Sequence, residues 1–287
     1  MNRNGYYCVI ICCMSIRSFF GSEKSKNLFF DKIKSKNAKT ALIFLHGLAG
    51  SRRYWDKIYQ DLSPEYTLYF VDLLGFGYSA KPHARYNIDT HINALKEFIA
   101  HEVREKSIIL VGHSLGATIA LNYFSNYPED IERVVLFSLP SYKSFAEATR
   151  EIQAHAKPKW FVIDAPFTKI ACTIWCYYLG AVSKHIMPLF YKSLPKRVAS
   201  DSLLHTYNSY ISTLYSVIYN QNLPKLNNVD VKKILLIHGE HDEVVPLENI
   251  KALSKKYDLS LVVLRNEGHG IPLEAKEKAC SILKSLI

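Results

Sequence analysis

A serine hydroxyl becomes a competent nucleophile only beside a base, and the base keeps its working tautomer only if a carboxylate orients it. This chain of 287 residues carries the parts for such a relay in three separated places. Gly112-His113-Ser114-Leu115-Gly116 follows the apolar run 108–111 and precedes a stretch rich in Ala, Leu and Ile. The glycines allow a sharp turn at the serine, and a helix starting behind it aims backbone N–H groups at developing negative charge. Gly239-Glu240-His241-Asp242-Glu243 follows a later apolar run, and Gly268-His269-Gly270 follows the last one. The order Ser114, Asp242, His269 suits acyl transfer from a G-x-S-x-G serine. Glu240 and Glu243 compete as the acid, and His238 and His241 compete as the base. Asp242 stands within a loop and His269 is flanked by loop glycines, which favours this pair. An oxyanion needs backbone donors: Leu115 N–H offers one, and Leu48 N–H in His46-Gly47-Leu48-Ala49-Gly50 offers the second. His46 is either a tether for that loop or part of the pocket wall.

Positioning these residues requires an alternation of strands and helices. Short apolar runs at 41–45, 66–71, 107–111, 133–137, 234–237 and 259–264 predict strands covered on both faces, the pattern of a parallel sheet. Helical periodicity at 88–103, with Asp89 as candidate N-cap, and helical stretches at 115–126, 247–257 and 273–286 intervene. The fold class expected is α/β, with a mostly parallel central sheet flanked by helices. Residues 140–225 break the rhythm with paired aromatics, prolines and no strand pattern; 201–219 reads as one helical stretch. The division expected is a basic N-terminal segment at 1–39 ending in a first strand, a core at 40–140 and 230–287, and an α-helical insertion at 141–229. Trp160, Trp175 and Tyr210 are its candidate pocket residues.

Composition narrows the function classes. Hydrophobic residues make up 48% and charged residues 22%, an ordinary globular balance. No apolar run reaches the roughly 18 residues of a membrane span. The net charge of +10 is concentrated: 1–39 carries +6 and 141–233 carries +7, while the rest carries −3. No ordered nucleic-acid motif accompanies it, so nucleic acid is not an expected partner, whereas an acidic partner or membrane surface at the basic insertion is. Cysteines at 8, 12, 13, 172, 176 and 280 form no CxxC or Cys/His ligand pattern, and reduced, partly buried thiols in a cytoplasmic protein are expected. Arg3 and the apolar stretch 6–16 leave a signal, an anchor or a start at Met14 as alternatives. Gly75-Phe76-Gly77 matches a dinucleotide pattern only formally, because Pro82 prevents a helix from opening there. His238 and His241 lack a third ligand, so neither a metal nor a cofactor is expected.

Taken together, the segments His46–Gly50, Asp72-Leu73-Leu74-Gly75-Phe76-Gly77-Tyr78-Ser79, GHSLG, Gly-Glu-His-Asp and Gly-His-Gly resemble the α/β-hydrolase fold superfamily, in its lid-bearing serine esterase and lipase branch. The resemblance covers about 40–140 and 230–287. It implies that 141–229 is a cap over the active site, and the serine sets the chain apart from branches with an aspartate at that turn. The expected activity is hydrolysis of a small-molecule ester with an acyl or aryl group. Alternatives on the same triad are a C–C bond hydrolase, an amidase or peptidase and an acyl-carrier thioesterase. A non-enzymatic receptor on this fold is the alternative from a different class.

Overall fold

The structure, a computed structural model, describes residues 27–55, 57–156, 162–178, 185, 188–189, 194–221 and 223–286. The N-terminal stretch in which a signal or alternative start is expected lies outside them.

Seven strands form one sheet: β1 Phe30–Ile33, β2 Thr40–Leu45, β3 Thr67–Val71, β4 Ser107–His113, β5 Arg133–Phe137, β6 Ile234–Gly239 and β7 Ser260–Leu264. Their order is β1-β3-β2-β4-β5-β6-β7, with β1 antiparallel to β3 and every other pair parallel. The strands read as unbroken apolar runs because successive side chains enter two different cores. In β2, Ala41, Ile43 and Leu45 join one core with Leu95 and Phe98 of α1 (Ile88–Glu102) and Leu121 and Phe124 of α2 (Leu115–Asn126). Leu42 and Phe44 join the other, with Tyr59, Leu62 and Leu283. Each fully buried Leu, Ile or Phe among them contributes roughly 1.5–3 kcal/mol.

The described part of the segment between β5 and β6 is helical. It holds α3 (Phe145–His155), α4 (Pro166–Cys172) running into a π-helical turn at Thr173–Tyr178, α5 (Lys196–Asp201), and α6 (Tyr207–Thr213) running into a second π-helical turn at Leu214–Tyr219. After β6 come α7 (Leu247–Tyr257), α8 (Ile271–Glu274) and α9 (Lys276–Ser285). Among the described residues, no helix is long and apolar enough to cross a membrane.

Three local expectations are corrected. Asn87, not Asp89, caps α1: its side chain accepts from Thr90 N–H, and Asp89 sits in the first turn. Residues 201–219 are not one helix. The chain turns at 202–206, and Thr206 and Ser209 close a capping box that starts α6 anew. The C-terminal helix is broken at Ala275. The Tyr59 hydroxyl donates to the Pro272 carbonyl at 2.8 Å, the acceptor Lys276 N–H would need to carry the helix on.

Candidate active site

Ser114 joins β4 to α2 with φ 51° and ψ −116°, a strained conformation for a residue with a Cβ. Its N–H donates to the Phe137 carbonyl at 3.0 Å, and its own carbonyl accepts from Thr118 N–H at 3.1 Å. The flanking glycines are required by close approach. A Cβ on Gly112 would lie 2.4 Å from the Gly116 carbonyl oxygen, and one on Gly116 would lie 2.2 Å from that of Leu45. The turn is therefore locked by backbone packing against β2 and β5, and the serine is presented at the C-terminal edge of the sheet, where crevices form in such folds.

Asp242 stands in the loop after β6, its carboxylate buried. Oδ1 accepts from Val244 and Val245 N–H at 3.0 and 2.9 Å, and Oδ2 lies 2.9 Å from His269 Nδ1. Burial alone would raise this carboxyl; the facing His269 and His238 and the Val245 N–H outweigh it and hold its pKa below the usual carboxylate value. The carboxylate is thus ionised and fixes which His269 nitrogen carries its proton.

His269 is held from behind as well. Its backbone carbonyl accepts from Ser138 Oγ and from His113 Nε2, each at 2.9 Å. His113, stacked on Tyr54 at 4.7 Å between ring centroids, is lowered to about 3 by burial and by the nearby His269, so it donates as a neutral ring. Ser138, His113 and Tyr54 are positioning residues that sequence reasoning missed. The signal for His113 was its place inside the GHSLG motif; Ser138, with φ 48°, had none.

A cavity of about 210 Å³ lies over these groups, with Ser114, His269, Leu48 and Gly47 in its wall. Opposite them stand Ile152 of α3 and Leu214 and Ile218 of the second π-helical turn, so the helical segment supplies much of the apolar wall. Leu115 is the first residue of α2, and its N–H therefore has no partner within the helix.

The remaining candidates fall elsewhere. His46 is fully buried and no part of the cavity wall. Its Nδ1 donates to the Gly47 carbonyl at 2.7 Å and its Nε2 accepts from Leu73 N–H at 3.0 Å, which makes it the tether of the 46–50 loop. Tyr210 is half-buried and turns its ring onto His205, with centroids 5.0 Å apart, rather than into the cavity. Trp160 and the side chain of Trp175 lie outside the described residues. His205 itself reaches Cys172 and Cys176, so the described residues do contain the Cys/His cluster that sequence spacing hid, because His205 comes from a distant turn.

Residues 40–276 match the family model described as alpha/beta hydrolase fold. A relative from Arabidopsis thaliana, named "Probable lysophospholipase BODYGUARD 3", is 23% identical over 86% of this chain and 57% of its own length. The chain thus spans little more than half the length of that relative. Among solved structures, one titled "Marine microorganism esterase" superposes with TM-score 0.62 at 19% identity, covering 92% of this chain and all of its own. An E-2-(acetamidomethylene)succinate hydrolase superposes with TM-score 0.67 at 18% identity, covering 90% of this chain and 94% of its own.

Proposed function

The chain belongs to the alpha/beta hydrolase fold family, and from that premise we propose that it is a serine hydrolase cleaving carboxylic esters through an acyl-enzyme. One juxtaposition carries the reading: Ser114, on a strained elbow, shares a cavity wall with His269, whose Nδ1 is held by the buried Asp242. In this scheme Ser114 Oγ attacks the ester carbonyl and its proton passes to His269 Nε2. The oxyanion is received by the N–H groups of Leu48 and Leu115; losing one such donor typically costs on the order of 10²–10³ in rate. Collapse breaks the bond to the alkoxy oxygen, which leaves as the alcohol with the proton from His269. A water then gives its proton to His269 and attacks the acyl carbonyl. Ser114 departs, regains its proton, and one ester plus one water has become one acid and one alcohol.

The cavity supports this substrate class. Its wall of Ile152, Leu214, Ile218 and Val244 suits an acyl chain and supports reading the helical segment as a cap. The cavity opens to solvent, so a chain longer than its apolar wall can run out of it, and the depth of that wall sets which acyl length is best covered. The outer face of the cap shows Phe167, Ile170 and Ile174 exposed beside Lys169, which favours a membrane surface over an acidic carrier as partner. Among the described residues none of Cys172, Cys176 and Cys280 is in a disulfide, which is in keeping with a cytoplasmic location.

The test is hydrolysis of 4-nitrophenyl esters of graded acyl length by the chain and by Ser114→Ala. Turnover peaking at one acyl length and lost in the variant is expected. Turnover of a dienone, an anilide or an acyl-carrier thioester in place of these esters would move the reading to the C–C hydrolase, amidase or thioesterase. Ligand-dependent stabilisation with hardly any turnover would move it to a receptor.

A further inference from the structure

Cys172, at the end of α4, and Cys176, in the π-helical turn that continues it, lie one helical turn apart, with their sulfurs 3.4 Å from each other. His205, in the turn between α5 and α6, brings Nε2 to 3.8 and 3.7 Å from the two sulfurs. All three residues are buried, at 1%, 6% and 3% exposure, in a small apolar pocket with Leu203 and Tyr207. Such a group is a poor way to fill a core. Thiols are weak hydrogen-bond partners, and the buried His205 Nδ1 has no partner among the described residues. The geometry points instead to a ligand at the centre of the triangle.

We propose that Cys172, Cys176 and His205 form a zinc(II) site that ties the two arms of the helical segment together. A tetrahedral ion with bonds of about 2.3 Å to sulfur and about 2.05 Å to nitrogen sets sulfurs about 3.75 Å apart and sulfur and nitrogen about 3.55 Å apart. The three observed separations of 3.4, 3.8 and 3.7 Å each lie within 0.4 Å of those values, so binding asks for only small side-chain adjustments. The charge also suits a divalent ion. Binding releases two thiol protons to solvent, and two thiolates, one neutral imidazole and Zn2+ sum to zero, the charge that a site shut away from water tolerates best. Copper(I) in the same donors leaves a net negative charge. Among the described residues no fourth His, Cys, Asp or Glu joins the group. A π-helical turn begins immediately after Cys172, a local widening that helices often place at functional sites.

The site would be structural. His205 stacks on Tyr210 at the start of α6, the helix leading into Leu214 and Ile218 of the cavity wall, and lies 6.3 Å from the ring of Phe76 in the body. Zinc would therefore fix the placement of the cap without touching substrate.

The experiment is metal analysis of the full chain, purified under reductant, reconstituted with zinc chloride and freed of loose metal, with no polyhistidine tag. About one zinc per chain is expected, as for a structural site. Cys172→Ser, Cys176→Ser and His205→Gln should each lose it, while changing Cys8, Cys12 and Cys13 together to serine should not. Co2+ in place of zinc should give sulfur-to-cobalt charge transfer absent from Cys172→Ser. Chelation should lower the Tm of the native chain and leave that of Cys172→Ser unmoved. Substoichiometric zinc after reconstitution, copper(I) bound in its place, metal that follows the three N-terminal cysteines, or a Cys172–Cys176 disulfide in the purified chain would overturn the proposal. If His205→Gln does not fold, the cobalt spectrum and the two serine variants still decide.

Discussion

The sheet body and the helical segment over it are built differently, and the proposed chemistry and substrate selection divide between them. The body packs strands between two apolar cores, and its active-site turn is locked where backbone meets backbone at Gly112 and Gly116. The helical segment is a set of short helices that enter the body's cores, with Leu214, Val217, Ile218 and Tyr219 in one and Val198 in the other, and that add polar bonds to it. Asp201 accepts from Ser51 Oγ and pairs with Arg53, Ser209 Oγ donates to the Gly75 carbonyl, and His91 meets Thr213. Its outer face leaves Phe167 at 63% and Ile170 at 61% exposure. A rigid platform holds reacting groups to a fraction of an ångström, as proton transfer needs. A cover of short helices that shares only the cavity wall with those groups can be resized without disturbing them.

Substitutions in the two regions should therefore fail in different ways. The largest effect is expected from Asp242→Asn, which keeps the shape but lets His269 take the wrong tautomer. Turnover should drop on the order of 10⁴-fold with KM little changed, as measured by steady-state ester kinetics. The same variant sharpens the account of acid stability. Because the folded-state pKa of Asp242 is depressed, its contribution is full above the unfolded value of about 3.9 and is lost as pH falls through the folded one. Acid titration followed by circular dichroism should show that component in the native chain and not in Asp242→Asn.

In the helical segment, Leu214→Ala enlarges the cavity from the far side. It should move the preferred acyl length upward, cut kcat/KM on the shortest good substrate by roughly tenfold, and cost about 2–5 kcal/mol of stability by denaturant unfolding. A variant that lowered kcat equally at every chain length would break the division between platform and cover. The smallest effect is expected from Ser138→Ala, which removes one of two bonds to the His269 carbonyl. A loss of about 0.5–1.5 kcal/mol, roughly two- to tenfold, should fall on kcat rather than KM.

The same division governs what could be read from residue order. The strands were legible because burial on both faces writes itself as continuous apolar runs, and the GHSLG turn because tight backbone packing admits only glycine at two fixed places. Helix starts were less legible. Asn87 outcompetes Asp89 by position alone, and the break at 202–206 depends on a capping box hidden within a helical period. The cavity wall was the least legible part. His46 and Tyr210 have side chains that could line a pocket, but the Leu73 N–H and the His205 ring claim them. Leu214, Ile218 and Ile152 look like any core residues until the tertiary fold sets them opposite Ser114.

Whether Ser114 is the nucleophile is decided by covalent capture. The chain would be treated with an alkyl fluorophosphonate and the adduct located by peptide mass mapping. One adduct is expected, on the peptide bearing Ser114, absent from Ser114→Ala and formed far more slowly in His269→Ala. An adduct on another residue, or ester hydrolysis that survives Ser114→Ala, would contradict it.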